Sequence, residues 1–389
     1  MRKVLQISKY YFPFLGGTEQ VARDIAKALN NYEDVEQKII CFNEDAKLDG
    51  YVNHHEETVK EEVDGVEVIR CGYVAKYASQ ALSTSYGREL KKVVNEFDPD
   101  LIILHYPNPF VTYYLLKYIK PHCKLAVYWH LDITKQKVLK HLFNGQNKKL
   151  IARSSKILGA TPVHVNESAY SEVMGNKKYI LPYAIDEKRL VISEEEKKRA
   201  EDIRKKYEGK VLGFFIGRHV PYKGLRYLIE ASSKIDGDKI HFLIAGTGEL
   251  TEELKRLSAN DPKVEFVGRV TDSEWRSYLY ACDIFCFPSI TRNEGFGLAQ
   301  AEAMYYEKPV VTFTIKGSGV NYVTQDGITG IECPNCDSSA YAGALSKLAS
   351  DAVLRENMGK VGRQRVLDNF TEAQFVKNVG RLLDEIINV

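Results

Sequence analysis

The sequence predicts an α/β protein in which two doubly wound domains each carry a parallel sheet covered by helices on both faces. Three observations carry this. Short apolar runs alternate with segments of helical periodicity along all 389 residues, which is the pattern of successive βα units. The length suits two domains of roughly 180 residues each. A charged, strand-free stretch from Tyr183 to about Tyr207 separates two series of strand-like runs.

The first series comprises Lys3 to Ser8, Lys38 to Phe42, Val66 to Arg70, Leu101 to His105, Lys124 to Trp129, Lys156 to Ala160 and Lys178 to Leu181. The second comprises Val211 to Ile216, Ile240 to Ala245, Val264 to Val267, Ile284 to Phe287 and Val310 to Phe313. The domains are therefore expected at 1–183 and 184–369. Phe370 to Val389 reads as an amphipathic helix.

Composition narrows the function. Hydrophobic residues make up 44% and charged residues 27%, as in a globular protein with sizeable cores. A net charge of +2 argues against nucleic acid as a partner, which calls for a clearly basic surface. Seven cysteines are too scattered for a disulfide framework. Cys41, Cys282 and Cys286 sit in apolar runs as small hydrophobes, which suits a reducing compartment. Cys333-Pro334-Asn335-Cys336 lacks the second pair of a zinc site. Asp98-Pro99-Asp100 precedes a strand and reads as a turn rather than a metal site. No run approaches a membrane span, and the first residues form a strand rather than a signal peptide. The expected location is the cytoplasm, with contact to a membrane surface as a further option.

Three segments carry the chemistry. Glu294-Gly295-Phe296-Gly297-Leu298-Ala299-Gln300-Ala301-Glu302 places two carboxylates around a glycine-rich helix start after a strand-like run. In open α/β sheets the crevice at strand carboxyl ends binds ligands, and free N–H groups there favour anions. If Glu294 opens the helix, about eight residues separate the carboxylates by roughly 12 Å along its axis. That span matches a nucleoside diphosphate with a sugar attached. Acidic residues in a first turn also simply suit the helix dipole. Next, Arg218 abuts the end of a buried strand and Lys223-Gly224 follows. A guanidinium and an ammonium match a diphosphate; the alternative is a solvated basic loop. Last, Gly16-Gly17 follows the opening strand, where backbone could approach phosphate or sugar, although most double glycines are plain turns.

Together, Arg218…Lys223-Gly224, Gly246-Thr247-Gly248-Glu249, Phe266-Val267-Gly268 and Glu294-Gly295-Phe296-Gly297-Leu298…Glu302 resemble the donor-site series of the retaining glycosyltransferases of family 4. Gly16-Gly17 and Tyr128-Trp129-His130 extend the resemblance over nearly the whole chain. It implies the GT-B fold: two Rossmann-like domains facing across a cleft, the second binding the nucleotide sugar, with the last helix packed back on the first. It further implies hexosyl transfer from a UDP- or GDP-linked donor to a sugar or lipid-linked glycan, with no metal or other cofactor. His130, Glu294, Arg218 and Lys223 would be catalytic. The donor would be bound by Gly16, Gly17, Arg218, Lys223, Gly246, Gly248, Val267, Arg269, Val270, Glu294, Gly295, Phe296, Gly297, Leu298 and Glu302. Bacterial cell-surface polysaccharide assembly is the implied setting. The rivals are a nucleotide-sugar epimerase of the same fold and a non-catalytic sugar-nucleotide-binding subunit. The stretch 135–156, with Lys135, Lys137, Lys140, Lys148, Lys149, Arg153 and Lys156, reads either as a solvated helix face or as a landing patch for anionic lipid.

Overall fold

The computed structural model describes residues 1–14, 16–44, 55–77, 80–132 and 137–387, and of residues 76, 77, 80 and 137–142 only the backbone. The chain divides into two compact units. Unit 1 is Met1–Pro182 together with Phe375–Val389, and unit 2 is Tyr183–Gln374.

Unit 1 runs β1 (Arg2–Ile7), α1 (Gly17–Leu29), β2 (Val35–Phe42), β3 (Val59–Val63), β4 (Val66–Cys71), β5 (Ala75–Tyr77), β6 (Gln80–Leu82), α2 (Tyr86–Glu96), β7 (Leu101–Tyr106), α3 (Pro109–Tyr118), β8 (Lys124–Trp129), α4 (Lys137–Arg153), β9 (Lys156–Gly159), α5 (Pro162–Asn166), α6 (Ser171–Met174) and β10 (Lys178–Ile180). The main sheet has the order β10-β9-β8-β7-β1-β2-β4-β3. All its pairings are parallel except β3 on β4. Every residue of β7 is buried, the continuous apolar run expected of a strand covered on both faces. Helix α1 buries Val21, Ala22, Ile25, Ala26 and Leu29, the 3.6-residue stripe read from the sequence.

The antiparallel edge strand β3 and the small hairpin β5–β6 are additions to the expected list. Strand β3 joins β4 through Asp64-Gly65, both at positive φ (51° and 77°). This is the backbone of a two-residue hairpin turn, and Asp-Gly is suited to it. Lys60, Glu61 and Glu62 on β3 put charge on an exposed sheet edge, which discourages pairing with another chain.

Unit 2 runs α7 (Glu194–Lys206), β11 (Val211–Ile216), α8 (Leu225–Lys234), β12 (Ile240–Ala245), α9 (Thr251–Leu257), β13 (Val264–Gly268), α10 (Asp272–Ala281), β14 (Ile284–Phe287), α11 (Leu298–Tyr305), β15 (Val310–Phe313), α12 (Val320–Val323), β16 (Gly330–Cys333), α13 (Ser338–Ser350) and α14 (Ala352–Asn369). Its sheet, β13-β12-β11-β14-β15-β16, is parallel throughout. Edge strand β16 was not anticipated. The charged segment after Tyr183 supplies α7, started by a capping box in which Ser193 and Glu196 satisfy each other's backbone N–H groups. Arg276 of α10 then grips Glu196 at 2.5 Å.

The final helix, α15 (Glu372–Ile387), buries Phe375, Val379, Leu382, Leu383 and Ile386. From Phe375 onward the helix belongs to unit 1: Tyr32 Oη donates to Val376 O at 2.8 Å, Arg2 meets Asp384 at 3.0 Å, and Lys156 meets Glu385 at 2.7 Å. No described helix is long and apolar enough to cross a membrane.

Candidate active site

In unit 2 the chain builds β11, β12 and β13 outward in one direction, then returns to place β14 on the other side of β11. The carboxyl ends of β11 and β14 thus flank a topological switch point, where such sheets leave a crevice for ligands. The loop after β11 carries Arg218 and Lys223, and the loop after β14 carries Glu294. The two loops meet. Lys223 Nζ donates to Glu294 Oε2, and Ser289 Oγ donates to the same oxygen at 3.1 Å. The ammonium also lies 5.3 Å from the centre of the Phe287 ring. Both side chains of the pair are largely buried, at 13% and 14% exposure. Residues 71 apart in sequence therefore form one charged unit. Gly224 allows the contact: it sits at φ 63°, and a Cβ there would lie 2.0 Å from Pro288 O.

Glu294 is not on a helix. Helix α11 starts at Leu298, behind Gly297 at φ 76°, so the axial spacing of about 12 Å derived for Glu294 and Glu302 does not apply. Glu294 and Gly295 are instead held by the loop after β15. Ser318 Oγ donates to Glu294 O, and Gly319 N donates to Gly295 O at 2.8 Å. Gln300 Nε2 reaches back to Phe296 O at 2.8 Å and across to Val320 O at 3.2 Å. The stretch Ser289 to Asn293 was expected to border the sugar; Gln300 and Ser318 were absent from the expected set, and no local spacing marks them.

Phe296 is held by its side chain. Its ring is 2% exposed, between Tyr183 and Phe370 at centroid distances of 5.2 and 5.4 Å. It anchors the loop, so only its backbone is placed to meet a ligand. Gly295, Gly297 and Leu298 lead into the N-terminus of α11, where no side chain caps the first N–H groups.

Arg218 is exposed, with Nη2 3.4 Å from Tyr222 Oη. Gly246 has a structural reason of its own. At φ 109°, a Cβ there would stand 1.9 Å from Gly217 O, so close packing of the loops after β11 and β12 already requires glycine. Gly248 N donates to Thr251 Oγ1 at 2.8 Å. Arg269 Nε meets Thr247 Oγ1 at 3.1 Å, tying the loop after β13 to the loop after β12. Val267 and Val270 are partly exposed beside it.

Glu302 lies within α11, largely buried. Arg189 Nη1 is 3.9 Å away. That guanidinium is held by two hydrogen bonds to Asp272, at 3.0 and 2.8 Å, and lies over Trp275 at 4.5 Å. Burial pushes the Glu302 carboxyl up to about 7, and Arg189 only partly offsets it. Without ligand, the protonated form is therefore favoured below that value. Stability from this group falls as pH rises from the ordinary carboxylate range to about 7. A diol that needs the ionised carboxylate should bind more tightly as pH rises, levelling off above about 7. Nucleotide titrations across pH 5.5–8.5 (on the order of three units around that value) should show this slope, and Glu302→Gln should flatten it. A slope unchanged in the variant would remove Glu302 from the ribose site.

In unit 1, Gly16 is the N-cap of α1 with no side-chain cap bond. The carboxylate of Glu19 fills the position a Cβ on Gly16 would take. The Cβ position of Gly17 is open. His130 follows β8, its N–H donating to Tyr106 O at 3.2 Å. Its Nε2 is 3.1 Å from His105 Nδ1, and His105 Nε2 is 3.2 Å from Gln6 Oε1. Burial lowers both imidazoles, His105 to about 3 and His130 well below its ordinary value. His130 is thus a neutral polar group at physiological pH. His105 and Gln6 went unnoticed in the sequence because they lie inside strands that read as core.

The basic stretch divides. Lys135 lies outside the described residues. Lys148 and Lys149 are exposed on α4, while Leu150 and Ile151 are in the core. Arg153 donates to Lys120 O and Cys123 O, at 2.9 and 2.6 Å, and Lys156 is taken by Glu385. Those two cations serve the fold and leave the proposed patch. Asp98, at φ 53°, binds Lys120 at 2.6 Å, as a turn residue would.

The family model "Glycosyl transferases group 1" matches residues 196–365, and "Glycosyltransferase Family 4" matches residues 15–171. The chain belongs to the family 4 glycosyltransferases. This glycosyltransferase is 25% identical over 374 residues to O-antigen chain mannosyltransferase C of Escherichia coli, covering 95% of this chain and 94% of the relative. It is 26% identical over 374 residues to D-rhamnosyltransferase WbpZ of Pseudomonas aeruginosa, covering 95% and 92%. Among solved structures it is similar to Anabaena Alr3699/HepE in complex with UDP, with TM-score 0.74, 18% identity and coverage of 99% and 100%. Its two parallel-sheet units are those of the GT-B fold.

Proposed function

We propose that this glycosyltransferase moves a hexose from a UDP- or GDP-linked donor to a hydroxyl of a sugar or lipid-linked glycan, with retention of configuration and without a metal. The setting is cell-surface polysaccharide assembly on the cytoplasmic side of the membrane. The observation that carries the reading is the Lys223–Glu294 pair at the switch point of unit 2. The names of the O-antigen mannosyltransferase and the rhamnosyltransferase support the setting, and the UDP complex of the Anabaena protein supports the donor class.

Transfer develops positive charge on the sugar ring and negative charge on the departing diphosphate. Groups fixed in advance toward that charge supply most of the stabilisation. Arg218, Lys223 and the uncapped N-terminus of α11 act on the diphosphate. Lys223 and Ser289 both engage Glu294 Oε2, so Oε1 is the oxygen for sugar hydroxyls. Glu302 takes the ribose. His130, a neutral imidazole, contacts the sugar as a hydrogen-bonding group.

A thermal-shift panel of sugar nucleotides tests the donor site. At about a hundredfold excess over Kd, a ligand adds about 2.7 kcal/mol, roughly 5–10 °C for a domain of this size. Arg218→Ala should reduce the shift. NMR of the product should then show the donor's anomeric configuration. No shift with any UDP or GDP sugar, or an inverted product, would overturn the reading.

A further inference from the structure

Unit 1 contains a cavity of about 220 Å³ that the transfer chemistry does not use. Phe42 at the end of β2, Val74, Ala81 and Leu82 around the β5–β6 hairpin, and Phe110 and Tyr114 of α3 line it. Among the described residues, no charged side chain does. Ser83, one of its few polar neighbours, turns its hydroxyl to Gly72 O at 2.5 Å. Val74, Leu82, Phe110 and Tyr113 remain exposed around it, between 36% and 58%. Apolar side chains gathered around a hollow suit an apolar ligand.

The helices around the cavity are basic. Helix α2 packs on α3 with Tyr114 against Gly87. Helix α4 joins α3 through Phe143 against Phe110, at 6.1 Å, and Gln146 on Pro109 O, at 2.6 Å. Leaving out Arg153, which is bound to backbone carbonyls, the sequence of α2, α3 and α4 has eight Lys and Arg against two carboxylates, Glu89 and Glu96. The whole chain has a net charge of only +2. An apolar hollow set among cationic helices is complementary to an amphiphile with an aliphatic tail and an anionic head.

We propose that this cavity holds the end of the hydrocarbon chain of a lipid-linked acceptor, with its phosphate over the basic helices. A concave volume suits one chain, whereas contact with a bilayer needs only a flat apolar face. As the acceptor's tail site, the assignment rests on the transfer reading above. As a lipid pocket, it can be tested alone.

Calorimetry of the full chain with alkyl phosphates of increasing length provides the test. Affinity should rise about fourfold per methylene while the chain is being buried, then level off once the cavity is full. Ala81 is 3% exposed in the wall, and Ala81→Phe fills the hollow. That variant should weaken octyl phosphate binding by about tenfold or more. Phe110→Ser, on the exposed rim, should weaken it as well and guards against misfolding of the first variant. Joint Lys148→Glu and Lys149→Glu should weaken octyl phosphate but not octanol. No dependence on chain length, or equal binding by wild type and both apolar-site variants, overturns the pocket. Binding to phosphatidylglycerol vesicles without a plateau in the alkyl series would assign the face to bilayer contact instead. If nucleotide sugars fail to shift melting while the alkyl series behaves as expected, the transfer reading falls and the lipid pocket stands.

Discussion

Glu294→Gln is expected to reduce kcat/KM for hexosyl transfer by about a hundredfold or more, most of it in kcat. The amide keeps the shape of the carboxylate, so the loop after β14 can still be held by Ser318 and Gly319. What is lost is the charge that orders both Lys223 and the sugar hydroxyls. Glu294→Ala is harsher, because it also leaves a largely buried ammonium unpaired, a change that costs about 3–5 kcal/mol in fully buried pairs. Arg218 is exposed and forms no part of the buried pair. Arg218→Ala should therefore spare stability while weakening donor binding and rate together. Steady-state kinetics with one donor and one acceptor separate these outcomes. Near-wild-type turnover in both Glu294→Gln and Arg218→Ala would contradict the assignment of the site.

The second large effect falls on a residue with no functional group. Gly224→Ala is expected to lower the melting temperature by roughly 6–12 °C and to remove most transfer activity. Alanine at φ 63° costs about 1–3 kcal/mol by itself. Its methyl would also meet Pro288 O at 2.0 Å and Ile290 Cγ2 at 2.9 Å, forcing the loops after β11 and β14 apart. That displacement pulls Lys223 from Glu294. Gly237→Ala is the control: it shares the positive φ, 77°, but nothing lies within 4 Å of its Cβ. It should cost stability through the backbone alone and leave transfer intact. Equal activity losses in the two variants would mean that backbone strain, not loop contact, is responsible.

How much of this was legible depends on the range of the interactions involved. Buried parallel strands such as β7 announce themselves as unbroken apolar runs, and α1 by its stripe, so the two-sheet architecture could be read from local pattern. The loops that close the site could be read less well. Glu294 and Lys223 were picked out separately, but their pairing is set by the order in which β11 and β14 enter the sheet. Ser318, Gln300 and Arg189 act through partners far along the chain, and their own surroundings in sequence are ordinary. The spacing of Glu294 and Glu302 was misjudged because Gly295-Phe296-Gly297 was taken into the helix, whereas the left-handed Gly297 delays its start. Phe296 stands in the expected donor set by resemblance alone, and nothing local shows that tertiary packing claims its ring. In one case the signal was present but unused. Asp64-Gly65 between two valines is a hairpin turn by its chemistry, and it would have revealed β3.

Helix α15 has a consequence for biogenesis. Residues 1–182 of unit 1 are made before unit 2, yet the apolar surface for Phe375, Val379, Leu382, Leu383 and Ile386 stays bare until those residues arrive. Unit 2, whose elements are contiguous, can close first. A nascent chain stalled before Phe375 would therefore carry one finished unit and one that is still sticky, and chaperone capture during synthesis should concentrate on the earlier-made half.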